Sequence, residues 1–198
     1  MKTIRKKQGY LKELQDKKKI VTVGIVGVQS GVGVTTLAIS LAGYLAAFLK
    51  NKTAVVECGQ KSDLAMIQSP YVEGHFLLKG IGYYPKATLD MRYVEQLDYD
   101  IAVIDYGHGL GKISDFMKCT HKIIIGSLEP WNEDRYHNFC EHLGDYPGSD
   151  TWLHIIHGDI SKLRHISRAY GVCTLKRPYI ENVHIVDKSL IQFFQTLF

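Results

Sequence analysis

No apolar run in this sequence reaches the roughly 18–20 residues needed to span a bilayer, and the polar N-terminus lacks the apolar core of a signal peptide. A soluble or membrane-peripheral protein is the expectation, with the cytoplasm as its compartment. Cysteine is sparse: Cys58, Cys119, Cys140 and Cys173 lie far apart and form no C-x-x-C pair, which argues against a disulfide framework and a zinc site. The histidines make poor metal pairs as well. His154 and His157 are three apart on or at the end of a strand and point to opposite faces, and His137 and His142 are five apart on a helix. No metal site is expected, and no internal repeat or low-complexity segment stands out.

The length of 198 residues suits one domain with a sizeable core. Its net charge of +4 is unevenly placed. Residues 1–19 hold eight lysines and arginines against Glu13 and Asp16, a net of +6, while the rest of the chain, with 16 basic and 18 acidic residues, sums to −2. The division drawn is a basic helical leader over 1–19 and a domain over 20–198. Ile4, Leu11 and Leu14 can share one face of a short helix in that leader, but Gly9 interrupts it. A solvated or subunit-packing helix is the reading, with anionic lipid or nucleic acid as the alternative contact.

Short β-branched runs alternate with segments of helical period, the pattern of an α/β domain with a mostly parallel central sheet flanked by helices. Strands are expected at 20–26, 53–57, 101–105, 122–126, 152–156 and 172–175, each apolar enough to be buried on both faces. Helices are expected at 35–50, 112–119, 132–143, 162–170 and 188–197. The least regular stretch reads as a strand at 76–84 and a helix at 90–97.

Between the first strand and the first helix lies Gly27-Val28-Gln29-Ser30-Gly31-Val32-Gly33-Val34-Thr35-Thr36. Strand, glycine-rich loop and helix in this order let backbone N–H groups and a helix N-terminus surround a phosphate chain. The candidate binding residues are therefore Gly31, Val32, Gly33, Val34, Thr35 and Thr36. Against the P-loop pattern G-x-x-x-x-G-K-[ST], Gly33 and Thr35 fit, whereas Val34 stands at the lysine and Val28 at the first glycine.

The run from Gln29 to Thr36 resembles the deviant Walker A motif of the ParA/MinD family of P-loop ATPases, Lys-Gly-Gly-Val-Gly-Lys-Thr-Thr, with Gln29 and Val34 in place of both lysines. The resemblance extends to Asp98-Tyr99-Asp100-Ile101-Ala102-Val103-Ile104-Asp105, which is similar to the Walker B strand, and to Val55-Val56-Glu57-Cys58-Gly59, where the family has Asp-x-Asp. It implies that Asp105 holds the Thr35 hydroxyl or a magnesium water; the alternative is an Asp105 that caps the loop helix without any ion. It also implies that Gly59 has replaced the acid that positions the attacking water. Asp63 reads as solvated or helix-capping rather than as a substitute. Tyr106-Gly107-His108-Gly109-Leu110-Gly111 replaces the family's Pro-Pro switch, its glycines suggesting mobility or close backbone approach, and His108 reads as a surface histidine. His157-Gly158-Asp159 lacks the adenine-reading asparagine, Trp131 reads as a core or interface anchor, and Arg177-Pro178 resembles the family's proline-containing loop.

What the resemblance implies is a P-loop domain that has lost its hydrolytic residues: no catalytic residue, no resident metal unless Mg-nucleotide is held at Thr35 and Asp105, and at most weak ATP or ADP binding. The expected function is a pseudo-ATPase scaffold or localisation factor, similar to the TadZ branch of pilus assembly, that binds a protein partner and dimerises through the P-loop face. The alternatives are a slow ATPase or nucleotide switch with Lys61 or a partner's arginine as the cation, and a membrane or nucleic-acid binder acting through residues 1–19.

Overall fold

A computed structural model describes residues 20–59, 63–67, 74–85 and 98–197. The leader over 1–19, the helix expected at 90–97 and Lys61 lie outside the described residues. Strands β1 (Val21–Gly27), β2 (Thr53–Glu57), β3 (Phe76–Leu78), β4 (Ile81–Tyr84), β5 (Ile101–His108), β6 (His121–Ser127), β7 (Leu153–His157) and β8 (Cys173–Lys176) form one sheet in the order β3-β4-β2-β5-β1-β6-β7-β8. Every pairing is parallel except that of β3 with β4.

The helices divide between the two faces as right-handed crossovers require. On one face, α1 (Val34–Ala47) and α5 (Lys188–Gln195) lay Leu37, Leu41, Leu45, Leu190 and Phe194 on Val23, Ile25 and Val103. On the other, α2 (Ile113–Phe116), α3 (Glu133–Leu143) and α4 (Ile160–Tyr170) lay Phe116, Tyr136, Leu163 and Ile166 on Ile104, Ile124 and Ile156. The central strands β1 and β2 are buried along their whole length, which is why they read as mostly apolar runs rather than alternating ones. At Gly24 an added Cβ would lie 2.8 Å from Cys119 Sγ and 2.9 Å from the Phe116 ring, so the missing side chain lets α2 sit directly on β1.

Several expectations are corrected. The strand expected at 76–84 is a hairpin, β3 and β4, because Lys79 and Gly80 both take positive φ and reverse the chain. The helix expected at 112–119 is the four-residue α2, ended by a tight turn in which the Cys119 N–H donates to the Phe116 carbonyl. Strand β8 is exposed or half-buried throughout, since it is an edge strand, so burial on both faces fails there. The glycine-rich stretch after Asp105 continues β5 as far as His108 instead of leaving the sheet at once.

Candidate functional site

The glycine loop leaves β1 at the carboxyl edge of the sheet and enters α1 through Gly33, whose φ of 90° and ψ of 37° suit only a residue without Cβ. No side chain caps α1 and no acid sits in its first turn, so its first N–H groups face the loop without an intrahelical partner. This is the polarity that attracts an anion.

The Thr35 hydroxyl donates to Asp105 Oδ2 at 2.6 Å, and the Gly107 N–H donates to Asp105 Oδ1 at 2.7 Å. Asp105 is aimed by a local irregularity of β5. The register against β1 runs Ile25 to Asp105 and then Gly27 to His108, so β5 carries an extra residue beside the aspartate. Gly107 takes φ 69° at that bulge. Burial pushes the Asp105 carboxyl up from its ordinary value, against the opposing pull of the Thr35 and Gly107 hydrogen bonds.

A cavity of about 300 Å³ opens over the loop. Gly31, Gly33, Val34, Thr35, Thr36 and Asp105 line it, whereas Val32 does not. Its titratable side chains among the described residues are Glu57, Asp63, Asp105 and His108, and no lysine or arginine among the described residues lines it. Gln29 lines it too, and its Oε1 is buried without a hydrogen-bond partner among the described residues. The cavity thus adds carboxyl groups and an idle acceptor where a phosphate chain needs cations.

Val34 is buried, and an added Cβ on Gly27 would lie 2.9 Å from Val34 Cγ2 and 2.8 Å from Val32 Cγ2. Both valines therefore prop the loop from within against the end of β1, so the position of the phosphate lysine has become part of the core. At Gly59 an added Cβ would lie 3.1 Å from Gly107 Cα and 3.2 Å from its nitrogen. A side chain at position 59 therefore needs the β5 main chain to yield by a few tenths of an ångström. Glu57, 2% exposed, accepts from the Leu64 N–H at 3.2 Å and anchors the turn after β2. Asp63 occupies the capping position of that turn but makes no capping bond, which corrects that half of the expectation; it is exposed at the cavity.

One residue at the loop, Arg177, reads in the sequence as part of a proline-containing loop and not as a partner of the glycine stretch. Arg177 Nη1 donates to the Val32 carbonyl at 2.6 Å, and the guanidinium lies where a Cβ on Gly33 would be. Arg177 is half-buried, so loss of solvent lowers its pKa, and among the described residues no carboxylate pairs with it. The sequence separation of 145 between the two partners explains why local spacing did not reveal it.

Elsewhere the expected candidates separate. His154 is fully buried and shares a 2.6 Å hydrogen bond through Nδ1 with the Tyr136 hydroxyl, while the half-exposed His157 pairs with Glu129 at 3.0 Å. No three His, Cys, Asp or Glu side chains among the described residues are grouped so as to hold a metal. Trp131 is 73% exposed, which removes the core role and leaves the interface one.

No protein-family model and no curated protein matches the sequence. Solved structures do match in fold. A ParA family ATPase from Chlorobium tepidum TLS superposes with a TM-score of 0.68 at 12% identity, over 90% of this chain and 97% of that one. A plasmid partition protein from Borrelia burgdorferi B31, solved with AMPPNP bound, gives 0.62 at 16% identity over 90% and 96%. A chain of the MinC:MinD cell division protein complex of Aquifex aeolicus gives 0.61 at 14% identity over 89% and 86%.

Proposed function

We propose, from the premise that this chain has a ParA/MinD-like P-loop fold, that it is a pseudo-ATPase: a scaffold or localisation factor of a larger assembly, of the pilus, secretion or partitioning type. The observation that carries this reading is the charge of the cavity, with three carboxyl groups and no lysine or arginine among its described lining residues. Phosphoryl transfer is catalysed almost wholly by positioning and by cations facing the outer phosphates. The Thr35 hydroxyl and Asp105 suit a magnesium water shell, and the start of α1 suits one phosphate. Among the described lining residues no cation meets the remaining negative charge of a triphosphate, and Arg177 beside Gly33 is engaged with the Val32 carbonyl, so the lining residues described do not fit turnover. The propping role of Val34 and the tight approach of Gly59 to Gly107 support the same conclusion.

Isothermal titration with ATP and ADP, each with magnesium, alongside a phosphate-release assay, tests the proposal. The expected result is no hydrolysis above blank and no micromolar nucleotide binding. Turnover that Thr35→Ala abolishes would overturn it. A second reading, a nucleotide-gated switch without hydrolysis, is favoured by the retained Thr35–Asp105 bond; it requires micromolar binding that Thr35→Ala weakens.

A scaffold acts through its surfaces, and large apolar side chains are exposed on the loop side of the sheet. Trp131 follows β6, Ile160 (55% exposed) follows β7 and Tyr179 (84% exposed) follows β8. All three therefore leave the carboxyl edge that also carries the glycine loop, which supports self-association through that face. Sedimentation equilibrium should show a dimer that Trp131→Ala weakens by about tenfold or more; a monomer at every concentration would exclude it.

A further inference from the structure

At the opposite end of α1 from the glycine loop lies a groove of about 470 Å³. Its floor is apolar, with Ile39, Ala46, Ile81, Tyr83 and Val186 among the lining residues. Among the described residues no aspartate or glutamate lines it, and Lys50, Lys52 and Lys79 do. Lys52 is already paired with Asp98 at 3.1 Å, whereas Lys50 and Lys79 have no carboxylate partner among the described residues. The Lys79 ammonium donates to the His184 carbonyl at 3.3 Å, which leaves two of its N–H donors free of that bond.

Lys50 and Lys79 share a second property. They are the non-glycine residues with positive φ in the described chain, at 58° and 51°. Lys50 follows α1 where the Asn51 N–H bonds back to the Leu45 carbonyl, a helix ending that ordinarily takes glycine or asparagine. Lys79 opens a two-residue hairpin turn with Gly80, a position that ordinarily takes asparagine, aspartate or glycine. Both turns would form more easily with another residue, so backbone demand does not account for either lysine. Both line the same groove.

We propose that this groove is a docking site for an acidic amphipathic helix of a partner protein. The apolar floor takes the hydrophobic face of the helix, and Lys50 and Lys79 meet glutamates or aspartates along its flank. Phe48, 47% exposed, borders the groove, and Ile185, 58% exposed, lies between its lining residues His184 and Val186. The apolar surface therefore runs on beyond the cavity, and a helix covers it where a small molecule would not. The basic leader of this chain, at net +6, has the wrong sign to be the occupant.

Fluorescence anisotropy tests the proposal with a labelled model helix of about 18 residues, or five turns. It carries leucine and alanine on one face and glutamate on both flanks; the comparison peptide has lysine for every glutamate. The acidic peptide is expected to bind saturably, at least about tenfold tighter than the lysine version, and to weaken as salt rises from about 50 to about 300 mM. The double variant Lys50→Gly, Lys79→Asn should lose about tenfold in affinity while its melting temperature stays level or rises, because both substitutions suit the turns. Thr35→Ala should leave this binding unchanged, which separates the groove from the P-loop reading. Equal binding of the two peptides, undiminished binding by the double variant, or no saturable binding would overturn the proposal. So would exclusive binding of decanoate or of phosphatidylglycerol vesicles in place of the acidic peptide.

Discussion

Gly33 is held in place twice, by its left-handed backbone and by the Arg177 guanidinium that occupies the Cβ position. Gly33→Ala should therefore cost about 1–3 kcal/mol. Part of that cost should vanish in an Arg177→Ala background, where the steric conflict is gone; urea titration of the four members of the cycle measures it. Asp105 poses the opposite problem. Its carboxyl pKa is raised by burial, so the folded protein holds the proton more tightly than the unfolded chain does, and this contribution to stability is lost as pH rises through the folded value. Asp105→Asn should raise the melting temperature near pH 7.5, by about 2–4 °C for each kcal/mol recovered, with the gain shrinking towards pH 4.5. A gain that grows on acidification would contradict burial as the dominant cause.

Elements are joined here by buried polar contacts as well as by apolar packing. The hydrogen bond from Tyr136 on α3 to His154 on β7 lies inside the core, and burial lowers the His154 pKa to about 4. A histidine depressed in the folded state supports folding above its unfolded pKa and withdraws that support as pH falls towards the folded one. Stability should drop by about 3 kcal/mol between pH 6.5 and pH 4 on this account. His154→Phe should flatten that slope in thermal melts, whatever it does to the absolute stability. This pair also marks the limit of what the sequence conveyed. The buried parallel strands were legible because Val, Ile and Ala predominate in the short runs of β1, β2 and β5, and the P-loop was legible because glycine spacing is a local signal. The hairpin at Lys79 was not, because lysine there disguises a turn that asparagine would have announced. Nor was the β5 bulge, since it is set by strand register. Arg177 at the loop depends on a meeting of distant segments, which no motif window spans.

Across the molecule, the apolar cluster that packs α2, α3 and α4 on one face of the sheet shelters three of the four cysteines. Burial pushes the Cys58 thiol up to about 11 and the Cys140 thiol up to about 12, and raises that of Cys119, while Cys173 is exposed on the edge strand β8. Native protein should therefore react with Ellman's reagent rapidly at one thiol, and at all four only after denaturation; two rapid thiols would show that this cluster opens. The ParA/MinD-like fold thus presents a rigid interior with distinct surfaces at the two ends of α1, the glycine loop at one and the lysine-rimmed groove at the other. The close approach of Gly59 to Gly107 ties the end of β2 to the bulge of β5. A Cβ at position 59 would lie 3.1 Å from Gly107 Cα, so a side chain there is seated only when the main chain of the neighbouring strand gives by a few tenths of an ångström. The contact works as a latch: whatever moves Gly107 is felt at position 59 and, through the Gly107 N–H on Asp105 Oδ1, at the aspartate that holds Thr35.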